Sequence, residues 1–95
     1  MEASTQLMAA ARHASMAASS AGKVRTTSLT ALGVAWAAAQ PGLAPFAALE
    51  AVKLCMWAVT DARNEPSAPN FRNAAIQLTT LATCMEFVEL DRASR

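Results

Sequence analysis

An all-α fold of three to four alanine-rich helices is what this 95-residue chain predicts. Three observations carry the prediction. Hydrophobic residues make up 54% of the chain, and much of that is alanine, the strongest helix former. Apolar residues recur every three or four positions, and nowhere do they alternate in the two-residue rhythm of a strand. Apart from Gly33, the few glycines and prolines sit between the periodic segments or at their starts, where they would punctuate helices. The length allows one domain, residues 1–95.

Only 16% of the residues are charged, against about a quarter in an ordinary soluble domain. A chain this short buries a modest share of its surface. It therefore carries more apolar surface than it can cover alone, and a helical hairpin or small bundle packed against partner subunits is the expected arrangement. The net charge of +1, with no basic stripe, excludes nucleic acid as the main ligand.

The first helix is predicted over Ala3–Ala18, with Leu7, Ala10, Ala14 and Ala17 on one face. Residues 1–25 are also rich in Ala and Ser and carry Arg12, Lys23 and Arg25 against a single acid, Glu2. That composition is transit-like and would suit an uncleaved organellar address, mitochondrial or plastid. Ala21–Gly22–Lys23 reads as a break, with Gly22 as a helix C-cap. Thr26, Thr27 and Ser28 offer N-caps for a second, uncharged helix over 28–39, which Gln40–Pro41–Gly42 would end.

A third helix is expected from Pro45 to Arg63. Glu50, Lys53 and Asp61 form a narrow polar strip along it, shared with Phe46 and Trp57, and the rest of its circumference is apolar. Their spacing permits a Glu50–Lys53 ion pair and a Lys53–Trp57 cation–π contact. Residues 64–70, with two prolines and two asparagines, form the clearest loop. The last helix, 70–90, has a clean stripe of Phe71, Ala74, Ala75, Leu78, Leu81, Ala82, Met85 and Val88, with Ile76 and Phe87 as a second apolar patch on the other side.

Little in the chain suggests chemistry. Gly22, Gly33 and Gly42 are isolated, so no phosphate loop exists, and no CxxC or HExxH motif occurs. The one histidine, His13, reads as solvated and cannot make a multidentate metal site by itself. Cys55 and Cys84 both fall in apolar patterns and are expected as buried thiols. No catalytic residue, metal site or cofactor is predicted, and the chain is expected not to be an enzyme.

The leading expectation is a structural, accessory subunit of a large multiprotein complex, associated with an organellar membrane and filling gaps between larger subunits. Contact with lipid is compatible with that setting. Trp36, Trp57, Phe71, Ile76 and Phe87 are the expected interface anchors, because large aromatic and aliphatic side chains dominate interface energetics. Two alternatives stand beside it. One is a soluble homo-oligomeric helical binding module paired through the Phe71–Val88 stripe. The other is a small integral membrane hairpin using 26–49 and 45–60.

Overall fold

In a computed structural model, which describes residues 2–95, the chain forms four α-helices and a short 3₁₀ turn. They are α1 (Ala3–Ala18), α2 (Gly22–Leu43), the 3₁₀ turn Ala44–Phe46, α3 (Glu50–Asn64) and α4 (Ala68–Ala93). Successive helices run antiparallel. The start of α1 lies beside the end of α2, where Ala3 meets Gly42, and beside the end of α4, where Ser4 meets Glu89. The bundle is elongated, 47 × 22 × 18 Å.

Helix α1 is the hub. It packs along both α2 and α4, while α3 packs along α4. Leu7, Ala10, Ala11, Ala14 and Ala17 are buried on α1, at the three- and four-residue spacing that keeps one stripe inward. Four of these five are alanines, so neighbouring backbones can approach closely. Leu32 and Leu43 from α2, Cys55 and Val59 from α3, and Phe71 and Leu78 from α4 supply the bulk of the core.

The joints differ from the sequence expectation. Helix α1 does end at Ala18, but Gly22 is not its cap. Ser19 and Ser20 satisfy the final carbonyls through hydroxyl bonds to Ser15 and Met16. Gly22 instead opens α2 at φ 59°, a left-handed conformation that favours glycine. Helix α2 thus begins six residues before Ser28. Thr26 and Thr30 donate their hydroxyls to carbonyls one turn back, inside the helix. Arg25 anchors this early start. Its Nε donates to the Ala17 carbonyl at 3.0 Å, and its guanidinium sits 5.4 Å from the Phe71 ring. A cation from α2 thereby serves the negative end of α1, which has no basic residue in its own last turn.

The other end of α2 also departs from expectation. Pro41 lies inside the helix, which continues to Leu43. Pro41 and Ala37 are both exposed, so water can reach the carbonyl that proline leaves without a donor. Leu43, 1% exposed, holds the last turn against the core. The third helix does not start at Pro45. Pro45 belongs to the 3₁₀ turn, and extended backbone at Leu49 precedes Glu50. That step places Phe46 under Arg92, 5.4 Å from its guanidinium. The loop before α4 is only Glu65–Ser67, because Ser67 caps the helix by accepting from the Asn70 N–H at 3.4 Å, and Pro69 suits the first turn.

Two glycines in α2 predict opposite outcomes. A Cβ at Gly33 would meet the Arg63 guanidinium at 3.5 Å, an ordinary contact. Gly33→Ala should therefore stabilise the bundle by about 0.5–1 kcal/mol through helix propensity. A Cβ at Gly42 would stand 2.7 Å from the Ala3 Cβ. Gly42→Ala should lose that propensity gain and cost about 1–3 kcal/mol net, since the helix ends must separate. Thermal melts of the two variants should shift in opposite directions.

Candidate functional site

The bundle closes along three of its four helix–helix seams. The fourth, between α2 and α3, stays open, because these two helices lack the close backbone approach of the other neighbours. A row of clefts follows it. Leu29, Gly33, Val34 and Ala37 line its upper part with Arg63. Trp36, Val59 and Thr60 line its middle. Gln40, Leu43, Ala44 and Ala47 face Val52, Lys53 and Met56 across its lower part.

Side-chain size explains the opening. Along the open stretch α2 presents Gly33 and Ala37, and the 3₁₀ turn presents Ala44, which are too small to bridge to α3. Arg63 crosses instead and rests its guanidinium against Gly33. The upper and lower clefts are mainly apolar, the middle one, with Thr60, Arg63 and Asn64 around it, is mainly polar, and two cations, Lys53 and Arg63, stand along the seam. No acidic residue lines the clefts. The arrangement can hold an elongated apolar segment that offers negative charge at its margins.

The expected anchors scatter over three environments. Trp36 is half-buried and lines this seam. Trp57 is 55% exposed on the outer side of α3. Ile76 and Phe87, 62% and 70% exposed, form a separate patch on α4. Phe71 is fully buried beneath Arg25, so it is a core residue and not a surface anchor. The same holds for most of its stripe. Ala74, Leu78, Leu81, Ala82 and Met85 are consumed inside the bundle and cannot form the seam with a second copy.

Glu50, Lys53 and Asp61 are all exposed, as a polar strip would be, but only Lys53 reaches the seam. Among the described residues the single ion pair is Arg95–Asp91 at 2.9 Å. The cation–π contacts there belong to Arg25 and Arg92. Lys53 therefore makes neither the ion pair nor the ring contact that its spacing permits. Among the described residues no group of three His, Cys, Asp or Glu side chains could hold a metal ion. His13 is half-buried on α1.

The two thiols separate, against the expectation that both are buried. Cys55 is buried and Cys84 is exposed on α4. Burial favours the neutral thiol and pushes the Cys55 pKa from 9.0 up to about 12. The folded state thus holds its proton more tightly than the unfolded state. Stability from this group is complete below pH 9 and falls as pH rises from 9 towards 12. A thiol-reactive dye at neutral pH should label Cys84 within minutes and Cys55 only after denaturant is added.

No helix among the described residues is long and apolar enough to cross a membrane. The stretch considered for a span, 26–49, is instead the body of α2 followed by the 3₁₀ turn, and the chain changes direction within it. No family model, curated protein or solved structure matches this chain.

Proposed function

We propose that this chain is a non-catalytic accessory subunit that receives an apolar helix of a larger partner protein in the α2–α3 seam. The carrying observation is a four-helix bundle with one seam left open, apolar towards its two ends and polar at its middle, with Lys53 and Arg63 standing along it. Among the described residues, ten large hydrophobic side chains remain 40% or more exposed, including Val34, Leu49, Leu54, Met56 and Trp57 on α2 and α3 or their connection. Surface of that kind is characteristic of a chain that works while covered. A partner helix would align small and apolar residues with the Gly33–Ala37 wall and set acids opposite Lys53 and Arg63.

The role is structural. An inserted helix would complete the layer that α2 and α3 leave unfinished, and it would exclude water from Trp36 and Met56. An organellar complex is the setting that the residue 1–25 composition favours.

Native purification through a C-terminal tag in mild detergent tests this. The expected result is a partner at fixed stoichiometry that is lost from Met56→Asp and Arg63→Glu variants of unchanged helicity. Both positions are exposed, so neither substitution should unfold the bundle. A chain that migrates alone, or a partner indifferent to both substitutions, overturns the proposal.

A further inference from the structure

The outward face of α4 has an order of its own. Asn73, Ile76, Thr80, Thr83, Phe87 and Leu90 are all exposed, and they fall at alternating intervals of three and four. That is the a/d pattern of a coiled coil, on the side of the helix away from its own core. The threonines make this face more apolar than the sequence suggests. Thr79, Thr80 and Thr83 donate their hydroxyls to the carbonyls of Ala75, Ile76 and Thr79 at 2.8, 2.9 and 3.0 Å. With the donors consumed by the helix, methyl groups make up most of what these residues present.

The pattern also reads the same in both directions. If a second α4 is laid antiparallel, with the two-fold axis beside Leu81–Ala82, every layer finds a match. Ile76 meets Phe87 of the other copy, Thr80 meets Thr83, and Asn73 meets Leu90, each twice by symmetry. A two-fold interface requires this kind of self-complementarity.

Charge selects the direction. Parallel pairing in register would set Glu86 against Asp91 of the neighbouring copy, a like-charge contact at the flanking positions. Antiparallel pairing separates them and sets Glu86 beside Thr79. A receiving site is also present. Ser15, Ala18, Ser19, Arg72, Ala75 and Ile76 line an apolar cleft between α1 and α4, next to the layer where the incoming Phe87 would arrive. The Arg72 guanidinium there could lie over its ring.

We infer that α4 is the interface of an antiparallel homodimer, with Phe87 of each copy seated in the cleft beside Ile76 of the other. The face from Asn73 to Leu90 is about 26 Å long. Ile76, Phe87 and Leu90, 62%, 70% and 65% exposed, offer roughly 400 Å² per copy. Threonine methyls, the Arg72 stem and the cleft walls bring each side to about 600 Å², the lower bound for a specific interface. The dimer is therefore reversible, and it leaves the α2–α3 seam free.

Sedimentation of the full chain over a concentration range, with reductant present to keep Cys84 free, tests the inference. Wild type should pass from monomer to dimer as concentration rises. Ile76→Lys and Phe87→Glu should each raise the dissociation constant about 100-fold or more, because each change enters the dimer twice. Their helicity should be unchanged, since both side chains point outward. In the double variant Ile76→Lys/Phe87→Glu, the introduced ammonium faces the introduced carboxylate of the other copy only in the antiparallel arrangement. That variant should recover at least about tenfold. A wild type monomeric throughout, a dimer indifferent to the single substitutions, or a double variant weaker than both singles would overturn it. Because Met56 and Arg63 are untouched, these results are independent of partner binding in the seam.

Discussion

Phe71→Ala should cost about 3–5 kcal/mol of folding stability. Phe71 is the largest fully buried side chain and is 0% exposed. Truncation removes its transfer energy and leaves a cavity that rigid helices close only in part. It also strips the ring from under Arg25, 5.4 Å away, so the cation that closes the end of α1 loses its platform. A domain of this size has total stability near the lower end of about 5–15 kcal/mol. The midpoint of a thermal melt should fall by about 15–25 °C. Urea titration followed by circular dichroism is the check. At concentrations where the chain is monomeric, Phe87→Ala is the matched control, because its ring is 70% exposed and the loss should stay within about 0.5 kcal/mol. Equal losses at the two positions would mean that the α4 core face has been misassigned.

The second large effect is expected from adding volume. Ala14 is 0% exposed on α1, the helix that packs against both α2 and α4. Leucine is the more hydrophobic residue and nearly as good a helix former. Ala14→Leu should nonetheless destabilise by about 1–3 kcal/mol or more, since the longer side chain must push a neighbour out of close contact or leave its rotamer well. Ala38, exposed on α2, should accept the same change with little effect. A more stable Ala14→Leu variant would show that the hub is underpacked. Hydrogen exchange of α1 amides would report the same loosening, as a drop in protection spread over the helix.

The helix count and the α1 boundaries were legible because periodic alanine and leucine act locally. The start of α4 was set by a local cap, Ser67 on Asn70, whereas the misjudged ends of α2 depended on distant partners. Helix α2 begins early where Arg25 reaches Ala17 and Phe71, and it runs past Pro41 where Leu43 is buried. Ser4 donates its N–H and hydroxyl to Glu89 at 3.1 and 2.7 Å, a pairing across almost the whole chain that no local window contains. The candidate seam was hidden for the same reason. Trp36 and Lys53 were visible as residues of interest, whereas Arg63 and Gly33 acquire meaning only once α3 stops short of α2. Phe71 misled because a strong apolar stripe has the same appearance whether it faces its own core or another protein.

By itself the sequence determined helix, the deficit of charge and the amount of apolar surface left to cover, since propensity and composition are properties of the residues alone. Which apolar face is spent inside and which remains outside was decided by the tertiary structure. Four helices can bury only some of the available stripes, and the choice depends on which side chains are small enough to let backbones close. Here α1 closes on both neighbours through alanine, α3 closes on α4, and α2 and α3 remain apart.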